Sequence, residues 1–446
     1  MKVGFVGLGY VGLTTAVCMA SRGLKVVGYD VDRAKIDAIK AGDTPFTEPG
    51  LDKMLKRVLR KGEFSCGDEV SILDGVDIVF ITVGTPSNPD GSINLSYVYD
   101  AAGMVGEILR SNRKSPTVVV KSTVVPGTTR GLVKSLLEER SGKIVGDGLN
   151  LCVNPEFLRE GSAVSDMLKP DRIVIGDDWG DGARVLLRLY GRVYGRRRIP
   201  TIVTNTVNAE MIKYASNIFL AARISLANEL ANICQRLPGA DFKIVARGVG
   251  LDKRIGPYFL NAGLGFGGSC FPKDLRAMKA VGMEHGVRPL MLEAVERVNL
   301  EQPYRALELA EQLVGDLKGK KAALLGLAFK PNTDDIRDAV GLKITKALLE
   351  RGCSIKVYDP AAMENFRQIF GNSVDYAESS RDCIRGADFA ILVTEWDEFK
   401  NLTPDDFRKL MKTPVLVDGR RLYDPEKFVG KIRFAAIGLG SASPVV

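Results

Sequence analysis

Apolar positions along the chain fall into short unbroken runs separated by amphipathic segments. KVGFV, VDIVFITV and PTVVVKST are apolar at nearly every position, the pattern of strands buried on both faces. Helical segments lie between them, so strand and helix alternate from Lys2 to about Arg198. That alternation predicts a parallel, doubly wound sheet. The segment VNAEMIKYASNIFLAARISLANELANICQRL follows without Gly or Pro. It predicts a helix of roughly 45 Å. Most of its faces are apolar, so it is expected to be buried between domains or between subunits. A second helical stretch, RPLMLEAVERVNLEQPYRALELAEQLV, leads into the last third of the chain.

That last third repeats the plan of the first. KKAALLGLAFKP…SIKVYDP echoes KVGFVGLGYVGL…KVVGYD, GADFAILVTEWDEF echoes GVDIVFITVGTPSN, and TPVLVDGRRLYDP echoes SPTVVVKSTVVPG. The expected fold is therefore α/β, with two Rossmann-like doubly wound parallel-sheet domains joined by a long central helix and a helical middle domain. The expected divisions are 1–198, 199–300 and 301–446.

Gly7-Leu8-Gly9-Tyr10-Val11-Gly12 follows the first strand and opens a helix, and Asp30 ends the next strand. In G-x-G-x-x-G the first glycine makes the turn. The second admits a pyrophosphate to the backbone at the helix N-terminus, and the third lets helix and strand pack closely. An acid at Asp30 suits a ribose 2′-hydroxyl and repels a 2′-phosphate, so NAD is expected rather than NADP. The equivalent turn in the repeat, Gly326-Leu327-Ala328-Phe329-Lys330-Pro331, lacks two of the three glycines. It offers Phe329 and Lys330 instead, which suits a different nucleotide.

Composition narrows the chemistry. The 446 residues include one histidine, His285, in a helix-end context with no expected function. The net charge is +8, yet no long basic block or basic–aromatic stripe supports nucleic-acid binding. Seven scattered cysteines without a Cys-x-x-Cys spacing argue against a disulfide scaffold and a zinc site, and suit a reducing compartment. The chain opens directly on a strand-like run and has no apolar stretch of membrane-span length, so no metal, no membrane and a cytoplasmic setting are expected.

GLGFGGSCFPKD places Cys270 after a run of glycines and ahead of Lys273 and Asp274. A helix N-terminus and a neighbouring cation both favour a thiolate, and Asp274 can move a proton. Lys213 and Asn217 are spaced i, i+4 and share a helix face able to hold an oxyanion. A Glu210–Lys213 ion pair with Asn217 merely solvated is the alternative. Glu156 and Glu160, after the strand LNLCV, suit acid–base work or helix capping equally. An NAD site and a thiol together suggest a four-electron oxidation of a primary alcohol, through a thiohemiacetal and a thioester.

These residues, with VGTPSNPDGSINLSYV, KSTVVPGTT, NPEFLREGSA, EMIKYASNIFLAARISLANE, GLAFKPNTDDIRDA and DGRR, closely resemble the UDP-glucose/GDP-mannose dehydrogenase family over essentially the whole chain. The resemblance implies an NAD-binding domain at 1–198, a helical dimerisation domain carrying the cysteine loop at 199–300, and a UDP-sugar-binding domain at 301–446. It implies oxidation of UDP-glucose to UDP-glucuronate, with GDP-mannose or another UDP-hexose as alternative substrates. Cys270 would be the nucleophile and Lys213 and Asn217 the oxyanion donors, while Asp274 would help Lys213 and a water with proton transfer and Thr123 would help hold that water. Glu156 would act in thioester hydrolysis. Lys35, Thr85, Pro86, Ser122, Thr123, Glu160, Lys273 and Arg337 would join Gly7, Gly9, Tyr10, Val11, Gly12 and Asp30 around NAD. Lysine at position 35, where relatives often carry arginine, keeps the charge but not the planar fork. Glu156, Phe157, Leu158, Glu160, Lys213, Asn217, Arg254, Phe259, Asn261, Gly265, Phe266, Gly267, Phe329 and Lys330 would line the nucleotide-sugar site, with Arg420 or Arg421. The resemblance also implies a homodimer or larger assembly. Two other readings are a two-electron β-hydroxyacid dehydrogenase, which the C-terminal repeat and Cys270 argue against, and a non-catalytic NAD or UDP-sugar sensor.

Overall fold

A computed structural model describes residues 1–111 and 116–440. Ser115 of the SPTVVVKST segment and the last six residues of the expected third domain lie outside them. Two compact units emerge, Met1–Ser216 and Asn217 onward.

The first unit is built on an eight-stranded sheet. Its strands are β1 (Lys2–Val6), β2 (Lys25–Tyr29), β3 (Phe64–Gly67), β4 (Ile78–Ile81), β5 (Thr117–Val120), β6 (Leu151–Val153), β7 (Ile173–Gly176) and β8 (Thr201–Thr204). The order is β8-β7-β6-β5-β4-β1-β2-β3. Six strands, β3-β2-β1-β4-β5-β6, run parallel in the doubly wound 3-2-1-4-5-6 order. At one edge β7 meets β6 antiparallel, through Val153 and Gly176. The chain between β6 and β7 carries only the short helix Ala163–Leu168, which packs on helix α1 (Tyr10–Ala20) instead of forming a long crossover.

Register fixes what stands at the carboxyl edge. Val6 pairs with Tyr29 and Ile81, Ile81 with Val120, and Val120 with Val153. The next row is therefore Gly7, Asp30, Thr82, Lys121 and Asn154, at the edge where doubly wound sheets bind ligands.

The second unit has a fully parallel six-stranded sheet of β9 (Lys321–Leu325), β10 (Ser354–Tyr358), β11 (Asp375–Tyr376), β12 (Phe389–Leu392), β13 (Val415–Asp418) and β14 (Arg433–Ala436). The order β11-β10-β9-β12-β13-β14 repeats 3-2-1-4-5-6. The equivalent edge row is Gly326, Asp359, Val393, Gly419 and Ile437. Apolar side chains from helices cover both faces of each sheet.

The long segment forms one helix, α2 (Thr206–Gln235). The cysteine loop leads into α3 (Phe271–Glu284). The later helical stretch divides into Leu290–Glu301 and Tyr304–Val314 at Pro303, which cannot supply a helical N–H. His285 caps the end of α3, and its ring bonds the Val281 carbonyl.

Candidate active site

In the first unit Gly7 adopts φ +93° and donates to the Tyr29 carbonyl at 2.8 Å. α1 starts at once, and its N-cap, Gly9, offers no side-chain acceptor, so the first N–H groups of the helix have no intrahelical partner. A Cβ on Gly12 would stand 1.9 Å from the Gly7 carbonyl oxygen, whereas a Cβ on Gly9 would meet nothing within 4 Å. The third glycine is thus a packing requirement and the second leaves an open approach. Val11 lies half-buried in the first turn of α1. This cradle fits the pyrophosphate of a dinucleotide.

Asp30 accepts from Leu8 N at 2.7 Å and Asp32 N at 3.0 Å, and Lys35 Nζ reaches both of its oxygens at 3.0 Å. Tyr10 donates to buried Glu48, and the Gly161 N–H reaches Glu48 at 2.8 Å and the Tyr10 oxygen at 3.0 Å. Burial, together with Glu48, pushes the Tyr10 phenol far above its ordinary value, so it stays a donor. Glu48 therefore ties the loop after Glu160 to α1, a role for which the sequence offers no motif.

The loops after β4 and β5 meet. Thr85 donates to the Thr123 carbonyl at 2.8 Å and Ser122 to the Val83 carbonyl at 2.7 Å, while the Pro86 carbonyl accepts from Asn94 N at 2.8 Å. Beyond β6, Lys213 donates to Glu156 at 2.9 Å and the Leu158 N–H donates to its other oxygen at 2.5 Å. Both ion-pair partners are buried. Burial alone would raise the Glu156 carboxyl, yet Lys213, the Leu158 N–H and Lys121 hold it below the usual carboxylate range. Phe157 lies between two cations, with the Arg172 guanidinium 3.8 Å from the ring centre and Lys213 Nζ at 5.6 Å. The alternative pairing of Lys213 with Glu210 is overturned. Glu210 faces the Thr123 loop, where it accepts from Gly127 N at 2.6 Å and Thr129 N at 2.9 Å. Burial pushes its carboxyl up to about 7.

In the second unit Cys270 is exposed and is the N-cap of α3, 3.6 Å from Ser269 Oγ. Asp274, one turn on, is buried. It accepts from Asn217 at 2.5 Å and from Lys273 at 2.5 Å. Asn217 is therefore neither solvated nor idle.

The glycine loop ahead of Cys270 has no ladder or helix to satisfy its backbone. Three buried amides do so instead. Asn228 accepts from Gly263 N at 2.8 Å, Gln302 donates to the Gly263 carbonyl at 2.8 Å, and Asn299 brackets Phe266 with bonds of 2.7 and 2.9 Å. Nothing in a single sequence marks these amides, because their partners lie 33 to 39 residues away. Gly265 holds φ +95° beside Asn299. A Cβ on Gly267 would strike the Asp338 carbonyl at 2.4 Å, and one on Gly268 the Phe329 ring at 2.7 Å. Gly268 N donates to the Arg337 carbonyl at 2.8 Å, so the loop interlocks with the segment 329–339.

Lys330 Nζ lies 5.2 Å from the Phe329 ring centre. Phe259 holds φ +61°, a strained state for a bulky residue, with its ring 6.4 Å from that of Phe271. Asn261 is exposed. The arginine pair separates. Arg420 reaches the Gly265 carbonyl at 3.0 Å and the Val393 carbonyl at 2.7 Å. Arg421, at φ +56°, turns away to Asp241 at 2.8 Å. Arg254 and Arg337 stand exposed, each forked onto a neighbouring acid, Asp252 and Asp335.

Three segments match models of one family. Residues 1–194 match the NAD binding domain of the UDP-glucose/GDP-mannose dehydrogenase family, 207–301 its central domain, and 323–425 its UDP binding domain. The UDP-glucose 6-dehydrogenase AglM of Haloferax volcanii is 45% identical over 95% of this chain and 97% of its own. The UDP-glucose 6-dehydrogenase of Rhizobium meliloti is 40% identical over 98% and 99%. The solved structure of a UDP-glucose dehydrogenase from Pyrobaculum islandicum superposes with a TM-score of 0.91 at 42% identity, covering 98% of both chains. By motif, fold and full-length similarity, the chain belongs to the UDP-glucose/GDP-mannose dehydrogenase family.

Proposed function

We propose that the protein is an NAD-dependent UDP-glucose 6-dehydrogenase, which oxidises the sugar C6 alcohol to the carboxylate of UDP-glucuronate. The observation that carries the reading is the setting of Cys270. It is an exposed thiol at a helix N-terminus, on a loop held by buried amides, with Lys273, Asp274 and Asn217 joined one turn on.

Gly7, Gly9, Tyr10, Val11 and Gly12 would cradle the pyrophosphate and Asp30 a ribose hydroxyl, with Lys35, Thr85, Pro86, Ser122, Thr123, Glu160, Lys273 and Arg337 as further cofactor contacts. When bound, NAD accepts a hydride in each of two oxidations. Cys270, as thiolate, adds to the aldehyde carbon left by the first, forming the C–S bond of a thiohemiacetal, which the second oxidation converts to a thioester. Lys213 and Asn217 leave Glu156 and Asp274 to donate to the developing oxyanion. Asp274 would help Lys213 and a water with proton transfer, and Thr123 would help hold that water. Glu156 takes its proton as it adds to the thioester carbon, the C–S bond breaks, and Cys270 departs as thiolate. One alcohol, one water and two oxidised cofactors give one carboxylate, two reduced cofactors and three protons.

The segment Glu156–Glu160, with Phe157 and Leu158, and the loop Asn261–Gly267, with Gly265 and Phe266, would take the sugar. Phe259, Phe329 and Lys330 would add contacts. Arg420 is assigned over Arg421 because it reaches the glycine loop. Arg254 is assigned to the sugar or to a partner subunit. The three-part division at 1–198, 199–300 and 301–446 belongs to the same reading.

A homodimer or larger assembly is also part of it. Phe219, Leu226, Leu230 and Ile233 on α2 are exposed in the single chain at coiled-coil spacing. Among the described residues no helix is long and apolar enough to cross a membrane. None of the seven cysteines forms a disulfide, which favours a cytoplasmic setting.

The test counts NADH released per sugar with limiting UDP-glucose, beside GDP-mannose. Two NADH per UDP-glucose, with Cys270→Ser stalling before the acid, supports the reading. One NADH with free aldehyde accumulating removes the covalent role of Cys270.

A further inference from the structure

Lys121 stands in the carboxyl-edge row of the first sheet, and no step above uses it. Its side chain is buried, and it donates to Asn154 Oδ1 at 3.0 Å and to the Asn154 carbonyl at 3.4 Å. Asn154 is itself fixed, because Tyr190 donates to the same Oδ1 and Asn154 Nδ2 donates to the Val174 carbonyl at 2.8 Å. Lys121 is thus held where it is. Two residues beyond Asn154 stands Glu156, paired with Lys213 at 2.9 Å. A second buried lysine is thus bonded two residues from a buried Lys213–Glu156 pair.

The fold itself does not require this arrangement. In the second sheet the same row positions are Gly419 and Ile437, with no charge at either. A buried cation carries a large desolvation cost, so the first sheet holds one where its counterpart holds none.

Resting on the assignment of Glu156 as the base for thioester hydrolysis, we infer that Lys121 is a positioning residue for that step. When Lys213 turns from Glu156 to the sugar oxyanion, Lys121 is the cation that remains and keeps Glu156 ionised, able to take a proton from water. Lys121, fixed on Asn154 at the end of β5, acts on Glu156 through its charge, and Lys213 bonds Glu156 from α2. Tyr190, which reaches the cluster through Asn154, is kept protonated by burial. Burial pushes the Lys121 ammonium itself down to about 8, with Glu156 raising it and Lys213 lowering it, so it remains charged at neutral pH.

The test uses the full-length enzyme with Lys121→Met, which keeps the length and loses the charge, and Asn154→Asp, which sets a carboxylate against Lys121. Both should move the acid limb of the kcat–pH profile upward by about one pH unit. Both should also accumulate a covalent Cys270 adduct, seen by mass spectrometry of acid-quenched enzyme, while NAD affinity stays at the wild-type value. Lys121→Arg should return the limb towards wild type. An unmoved acid limb and no adduct in the two variants would overturn the inference. Should Lys121→Met not fold, the same readouts on Asn154→Asp decide. Glu156→Gln separates the two levels. If wild type yields two NADH per sugar but Glu156→Gln builds up no adduct, the base assignment fails first and the role of Lys121 falls with it.

Discussion

The two sheets share strand order, edge register and even the Tyr-Asp that ends their second strands, yet they handle the first turn differently. In both, a glycine at φ above +90° follows the first strand and donates to the tyrosine carbonyl of the second at 2.8 Å. In the first unit α1 starts three residues after that glycine, and its N-terminus opens onto the turn. In the second unit the helix Val340–Glu350 starts fourteen residues after it, and the intervening loop carries Phe329, Lys330 and Arg337. The packing duty of the third glycine survives the insertion. A Cβ on Gly341 would stand 3.2 Å from the Leu327 carbonyl oxygen, against 1.9 Å for one on Gly12 from that of Gly7. The aspartates diverge in the same sense. Asp30 keeps one backbone bond to the turn and a half-buried lysine, whereas Asp359 is enclosed, accepting from the N–H groups of Leu327, Ala328, Ala361 and Ala362 and from Trp396 Nε1. One framework thus yields a dinucleotide cradle when the helix starts at the turn, and a closed, loop-bearing edge when it does not.

Substitution at the two glycines should separate the units most strongly. Gly12→Ala is expected to cost about 3 kcal/mol or abolish NAD binding, while Gly341→Ala should be near neutral, because helix propensity offsets a mild contact. Urea unfolding and NAD titration of both variants check this, and equal losses would break the comparison.

The aspartates come next. Asp359→Asn should lower stability by about 2 kcal/mol, by turning an amide donor towards several N–H groups, with the NAD KM unchanged. Asp30→Asn should raise the NAD KM about tenfold and narrow the preference over NADP. A crossed result, with Asp359 governing KM, would contradict the enclosed role given to it.

Both units also fasten the loop after the fifth strand with a buried carboxylate. Glu210 serves Gly127 and Thr129, and Asp418 serves Arg420 and Tyr423. Burial raises both carboxyls, that of Glu210 from 4.5 to about 7. The folded chain then holds a proton that the unfolded chain has released. The associated stability is full below pH 4.5 and is lost as pH rises through about 7. Glu210→Gln should remove on the order of 2 kcal/mol of that decline, read from urea midpoints against pH, and Asp418→Asn should act in the same direction.

The smallest effect is expected at position 35. Lys35→Arg restores the planar fork and should lower the NAD KM about two- to threefold in steady-state assays. No change would mean that the charge alone matters there.

Much of this was legible in the chain. The strands, the glycine fingerprint, the internal repeat and the Cys270 motif all depend on residues close in sequence, where periodicity and spacing speak for themselves. The antiparallel edge at β7 was not legible, because strand direction depends on where a short helix packs. The break at Pro303, by contrast, is written in the chain, because a proline inside a helical pattern ends the helix. Lys213 could have paired locally with Glu210, and only the fold showed that each finds a partner dozens of residues away. The sequence by itself determined which chemical groups are present: a glycine-rich turn, an acid after the second strand, a thiol ahead of a cation and an acid. Tertiary structure decided which groups face one another. It gave Arg420 and Arg421 opposite partners, and it set Asn228, Asn299 and Gln302 under a glycine loop. It also fixed a second buried lysine, Lys121, on Asn154, two residues from Glu156. Hydrogen bonds and buried charges are satisfied through space, and a linear pattern carries no record of partners that only folding brings within 3 Å.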